Sequence, residues 1–262
     1  METITGLYHK RYVLTGENGN VGKILKRYLS NCISYDNFID SKSDDIFLHL
    51  ATRVDKELIE SNILFLKECI EFCLEKKIKK FIFFSSASIY GNINKENVKE
   101  SECSSNISLY ASSKIFGEKL LFDYKDRLSV LVLRLPAVLT NQKNSFIYKL
   151  KNKLHRDEDI ELYNYNKRFN GFIGVKDIAE FIKEFRFRKD FEILNFAPEL
   201  NQTLKDVVLH MKIRLKSKSK IICHDKDDVR YYNLSIDRLK NEYGFIPRDY
   251  EEILDEWIDD EK

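Results

Sequence analysis

Tyr110 and Lys114 stand four residues apart in Tyr-Ala-Ser-Ser-Lys, a spacing that puts both side chains on one face of a helix, one turn apart. An ammonium held there favours the tyrosinate, drawing the phenol down from about 10 toward the range where it exchanges a proton with an alcohol. Upstream, Ser85-Ser86-Ala87-Ser88-Ile89-Tyr90-Gly91 ends the apolar run Phe81-Ile-Phe-Phe84. Ser86 therefore falls at the carboxyl end of an expected strand, able to hydrogen-bond the same substrate oxygen as charge develops on it. Tyr-x-x-x-Lys alone is common by chance. Its position behind a third motif makes it specific: Gly16, Gly19 and Gly22 form G-x-x-G-x-x-G directly after Arg11-Tyr-Val-Leu-Thr15. Glycines there close a tight turn and let backbone N–H groups approach a pyrophosphate at the positive end of the following helix.

The elements that must position these groups are readable from pattern. Strand, glycine turn and helix (Lys23 to Leu29) follow in order. Ile46 to Ala51, Phe81 to Ser85 and Val130 to Leu135 are short, continuously apolar runs, as parallel strands covered on both faces should be. Helix-length segments, Asn62 to Lys76 and Ser112 to Tyr124, lie between them, which predicts an α/β sheet with right-handed crossovers. In the first of these helices Ile63, Leu66, Ile70 and Cys73 form a stripe that Phe65, Cys69 and Phe72 widen. A stripe that wide has two readings: a second subunit covers part of it, or the whole face is buried in a monomer. Past Pro136 the chain turns polar, with Lys149 to Asp159 expected as a charged helix. Phe172 to Ala179 is expected to begin another helix, Phe191 to Phe196 to return to the sheet, and Ile221-Ile222 to form a strand between two amphipathic helices.

With 262 residues, 43% hydrophobic and 33% charged, the chain has the composition of a globular protein with a sizeable core. Its 44 basic and 42 acidic residues leave a formal charge of +2, too little excess for a dedicated nucleic-acid binder. No run approaches the ~20 apolar residues of a membrane span, and Met1 to Lys10 lacks the core of a signal peptide. Five cysteines without zinc-like pairing fit reduced thiols in a reducing compartment, so a cytoplasmic protein is expected.

Taken together, these motifs resemble the extended short-chain dehydrogenase/reductases of the nucleotide-sugar epimerase, dehydratase and reductase type. The likeness covers nearly the whole chain through Thr15-Gly16-x-x-Gly19-x-x-Gly22, His49-Leu50-Ala51, Asn62, Ser86 to Gly91, Tyr110 to Lys114, Arg134 with Pro136, and Val175-x-Asp177-Ile-Ala179. It implies a Rossmann-type doubly wound parallel sheet with a small C-terminal substrate cap. The dinucleotide-binding part would be residues 1–140 rejoined by about 172–197, and the cap residues 141–171 and 198–262. It further implies that Tyr110 is the general acid/base, that Lys114 holds the nicotinamide ribose, that Ser86 assists and that Asn62 supports the water and backbone network. Asn18, Asn20, Val21, Leu50, Ala51 and Pro136 would join the glycines around NAD. Hydride transfer at a sugar carbon, most often C4, is the implied chemistry.

Departures sharpen this. Where 4,6-dehydratases of the family carry an Asp-Glu pair, this chain has Ala87 and Ser88, so dehydration is not expected. The stretches Ile59 to Leu64 and Asn106 to Ala111 are similar to 4-ketoreductases of deoxysugar nucleotides. A 4-ketoreductase is thus expected ahead of a 4-epimerase that retains NAD, with a non-catalytic dinucleotide-binding sensor or scaffold as the alternative of another class. Asp36, only 14 residues past Gly22 where about 20 is usual, is the candidate for the adenosine ribose. Its carboxylate would favour NAD by repelling the 2′-phosphate of NADP, which is not excluded; otherwise it is a solvated turn residue. The resemblance implies that Asn170 and Asp225 stand where the family carries diphosphate-clamping arginines, leaving Arg168, Lys226 and Arg230 as substitutes or plain surface charges, with Ser86 and Ser88 at the sugar. Cys69 and Cys73 read as buried inert thiols rather than metal ligands, and the basic run from Lys212 to Lys220 as a solvated edge. The expected partners are a nucleotide-sugar substrate and a second copy of the chain, with neither nucleic acid nor membrane.

Overall fold

The apolar runs do become strands, because their residues alternate between two separate cores. In the computed structural model, which describes residues 10–40, 42, 44–53, 59–91, 93–102, 107–168, 171–199, 202–224 and 232–260, the first half of the chain runs β1 (Tyr12–Thr15), α1 (Asn20–Tyr28), β2 (Cys32–Ser34), β3 (Ile46–His49), α2 (Ile59–Glu75), β4 (Lys80–Ser86), β5 (Lys95–Val98), α3 (Leu109–Asp123) and β6 (Ser129–Leu135). It continues with β7 (Ala137–Val138), α4 (Phe146–His155), β8 (Ile160–Tyr163), β9 (Phe172–Ile173), α5 (Val175–Glu184), β10 (Phe191–Asn195), α6 (Leu204–Arg214), β11 (Ile221–His224), β12 (Tyr232–Leu234), α7 (Asp237–Tyr243) and α8 (Tyr250–Asp259). Six strands form one parallel sheet in the order β10-β6-β4-β3-β1-β2. Val13, Phe47, Phe81 and Val130 face a core closed by Leu66, Cys69 and Ile70 of α2 and Leu121 of α3. Their neighbours Leu14, Leu48, Ile82 and Leu131 face the opposite core with Leu25 of α1 and Ile178 of α5. This is the Rossmann-type, doubly wound architecture expected from the sequence, with every strand's carboxyl end on one side.

The remaining strands form three two-stranded parallel pairs, β8 with β11, β5 with β12 and β7 with β9. Several expected bounds moved for local reasons. Ser108 and Ser145 accept from the N–H groups of Ala111 and Tyr148, so α3 and α4 start three residues before their expected first residue. Asp157, with φ +56°, lies past the end of α4 where a helix had been expected to continue. Phe172 and Ile173 pair with β7 instead of opening α5. The wide face of α2 is covered by its own chain: Phe65 and Phe72 pack edge-on against Tyr35, and Phe72 against Phe38. No helix among the described residues is long and apolar enough to cross a membrane.

Candidate active site

Thr15, at the end of β1, organises the crevice floor. Its Oγ1 accepts from the N–H groups of Leu50 and Ala51, 3.2 Å each, which leaves its own proton for His49 Nδ1 at 3.2 Å. His49 is buried beside Phe81 and Phe83, and burial pulls its pKa down to about 3. It is a neutral core residue. Gly16 then turns with φ +71°, and a Cβ there would sit 3.0 Å from the Ala51 nitrogen. A Cβ on Gly22 would lie 2.3 Å from the Gly16 carbonyl oxygen, so only glycine lets α1 begin against the turn. Gly19 is the N-cap of α1; no side chain caps that end and its first turn carries no acidic residue. Its free N–H groups and positive dipole end are therefore open to an anion.

Beyond the turn lies a cavity of about 470 Å³ lined by Val21, Leu50, Ser86, Ser88, Tyr110, Lys114 and Pro136, all singled out from sequence. Lys114 is buried, and its Nζ donates to Thr52 Oγ1 and to the Phe84 carbonyl, 2.7 Å each. It rests 4.8 Å from the Phe83 ring centre and 5.9 Å from that of Tyr110. Burial pulls its pKa down to about 7, against the opposing pull of the Glu118 carboxylate. Ser86 Oγ accepts from the Ser88 N–H at 3.1 Å and from the Ser88 hydroxyl at 2.9 Å, so its own proton is free to turn toward the Tyr110 phenol, whose pKa it pulls down, or toward a bound substrate oxygen. The expected softening of that phenol does not occur. Burial outweighs the pull of Ser86 and leaves Tyr110 above its ordinary value of 10.0; the amine that was to lower it is drawn by burial to about 7 and is neutral where the phenol would ionise.

A buried ion pair braces the strand behind the site. Arg134 on β6 meets Glu118 on α3 at 2.7 Å, Ser85 donates to the same carboxylate, and Arg134 also donates to Tyr90 Oη at 2.9 Å. Tyr90 passes its proton to Asn195 Oδ1 at 2.6 Å. Asn195 in turn donates to the carbonyls of Val98 and Ser235, and Tyr232 donates to the Ala87 carbonyl at 2.8 Å.

The other predicted residues fall as follows. Asn62 clamps Arg53 through both its N–H and its carbonyl, 2.8 Å each, and so holds the loop after β3 to the start of α2. Asn18 donates to Glu17 at 3.3 Å, and Asn20 opens α1. Asp36 sits on an exposed 3₁₀ turn, two residues past β2. Arg168 stands 3.8 Å from Glu96 and does not line the cavity. Asn170, Asp225, Lys226 and Arg230 lie outside the described residues. Cys69 and Cys73 are buried, and burial raises both thiols, Cys69 to about 12. Sequence reasoning missed Thr52, Gln142 and Tyr232 in the lining; Thr52 was findable as the polar residue just beyond a strand's carboxyl end, where α/β sheets bind ligands.

The model of the NAD dependent epimerase/dehydratase family matches residues 34–185. The chain belongs to that family. Among its relatives, a dTDP-D-glucose 4,6-dehydratase of Dictyostelium discoideum is 25% identical over 222 residues, 67% of this chain and 50% of the relative. An ADP-L-glycero-D-manno-heptose-6-epimerase of Brachyspira hyodysenteriae is 28% identical over 160 residues, 55% and 50% of the two chains. The chain thus spans half the length of these relatives. Among solved structures, a UDP-N-acetylglucosamine 4-epimerase from Bacillus cereus superposes with a TM-score of 0.80 at 16% identity, covering 94% of this chain and 97% of that one. RMD from Pseudomonas aeruginosa complexed with NADPH gives 0.78 at 17% identity, covering 96% and 98%; both likenesses bear on the fold. The family's description names its cofactor dependence, and the cofactor that goes with it is a nicotinamide dinucleotide. The chain's uncapped α1 terminus and the cradle kept open by Gly16 and Gly22 fit that group.

Proposed function

We propose that the chain is an NAD(P)-dependent 4-ketoreductase acting on a nucleotide-activated sugar. The observation that carries this reading is the gathering of Ser86, Ser88, Tyr110 and Lys114 in one cavity with no carboxylate among its described lining residues. Elimination of water needs an additional acid/base pair; protonation of a ketone oxygen needs one acid and one stabilising donor. The nicotinamide, when bound, supplies the hydride. Tyr110, which burial keeps protonated at neutral pH, gives its proton to the ketone oxygen as the carbon is reduced. Ser86 hydrogen-bonds that oxygen, and Lys114, fixed by Thr52 and the Phe84 carbonyl, binds the nicotinamide ribose. A phenol that holds its proton favours the reducing direction, in which it acts as an acid; a 4-epimerase must first use it as a base.

Loss of NADH or NADPH absorbance on adding 4-keto sugar nucleotides tests this. Turnover with stoichiometric cofactor consumption supports the reductase. Interconversion of 4-hydroxyl epimers without added cofactor, by protein that purifies with NAD bound, replaces it with the epimerase. Dinucleotide binding without turnover on either class of sugar replaces it with a sensor. Two further proposals go with the reading. The four described cysteines are all free, which supports a cytoplasmic location, checked by fractionation of the source cells. Exposed Leu109 and Phe116, seven residues apart on α3, support a homodimer, checked by sedimentation; a monomer at micromolar concentration would remove it.

A further inference from the structure

We infer that Glu17, rather than Asp36, is the carboxylate that receives the adenosine ribose and sets a preference for NAD(H) over NADP(H). The inference rests on reading the glycine turn as the dinucleotide site. A carboxylate inside such a turn is unexpected, because it faces the same N–H groups that should attract a pyrophosphate and would repel it. The structure shows where the charge goes instead. Ser34 Oγ donates to Glu17 Oε1 at 2.7 Å, and Ser34 is the last residue of β2, level with Leu14 of β1 in the sheet register. The carboxylate is thereby held aside from the α1 terminus, at the joint carboxyl ends of β1 and β2. In sheets of this kind the ribose hydroxyls are met by an acidic side chain at that place.

Asp36 is less suited to the task. Its backbone N–H donates to the far side of the same Ser34 hydroxyl, at 3.3 Å, and the residue is exposed on the 3₁₀ turn beyond the strand. That turn is pinned by Tyr35, whose ring packs against Phe47, Phe65 and Phe72. Ser34 therefore accepts from Asp36 and directs its single proton to Glu17, which fixes the carboxylate's place. Among the described residues no lysine or arginine pairs with Glu17, so a 2′-phosphate there would meet an uncompensated negative charge, whereas a 2′,3′-diol would donate to it.

The test is fluorescence titration of the purified, sugar-free protein with NADH and with NADPH, for the wild type, Glu17→Gln, Ser34→Ala and Asp36→Asn. The wild type should bind NADH at least about tenfold tighter than NADPH. Glu17→Gln should weaken NADH about tenfold and erase the preference, Ser34→Ala should move both in the same direction by less, and Asp36→Asn should move neither more than about threefold. Unchanged melting temperatures of the cofactor-free variants confirm that a lost preference is not lost folding. A wild type that prefers NADPH, a Glu17→Gln protein that keeps its preference, or an Asp36→Asn protein that loses it overturns the inference while leaving the proposed reductase intact. Failure of the wild type to bind either dinucleotide overturns both.

Discussion

Replacing Lys114 by Met separates what this residue does for chemistry from what it costs the fold. Free in solution its ammonium titrates at 10.5, but in the folded chain burial lowers that to about 7. Between those values the unfolded chain binds a proton that the folded chain does not, so the stability of the wild type rises with pH through this window. The slope is about 1.4 kcal/mol per pH unit, and the full span amounts to about 5 kcal/mol. The penalty is complete below pH 7 and gone above 10.5. In Lys114→Met the group is absent and so is the slope, while the other titrations are shared apart from that of His49, which Lys114 helps to lower. Urea unfolding of both proteins from pH 6 to 9.5 should therefore give a stability difference that is flat near pH 6 and then moves in favour of the wild type by about 3 kcal/mol. Turnover of the variant should collapse across the same range, since the ribose contact is lost at every pH. Parallel stability curves would refute the placement of a desolvated amine at this site, and near-normal turnover would refute its role.

Tyr110→Phe should retain dinucleotide binding but lower turnover by roughly 10²- to 10⁴-fold, as measured by steady-state kinetics beside a cofactor titration; a mild loss would move the proton source elsewhere. In the wild type, reduction should hold steady from pH 6 to 8 while the reverse oxidation climbs with pH, because the raised phenol must ionise to act as a base; matching profiles in the two directions would contradict this. Gly22→Ala forces a methyl to within 2.3 Å of the Gly16 carbonyl oxygen, so a lowered melting temperature and lost dinucleotide binding are expected, whereas an unaffected protein would mean that the turn is looser than described.

The sheet and the placing of Tyr110 and Lys114 in one cavity were legible because both depend on local rules. Alternation of Tyr12, Val13 and Leu14 between two cores, the glycine positions and the four-residue step from Tyr110 to Lys114 are all written in consecutive sequence. What escaped was set by tertiary packing. β5 is polar and exposed except at Val98, and β7 and β9 have two residues each, so none carries a periodic signal. The expected softening of Tyr110 failed because spacing says which groups are close and nothing about how dry they are. Glu17 passed as filler within a glycine turn, since its partner Ser34 is brought beside it only by strand pairing.

The bond from Tyr232 to the Ala87 carbonyl, with β12 laid along β5 and Asn195 gripping Ser235, sews residues 232–235 into the wall of the cavity. No amputation before residue 235 leaves that wall whole. A chain ending before Tyr232 would leave that cavity open on the side this tyrosine lines.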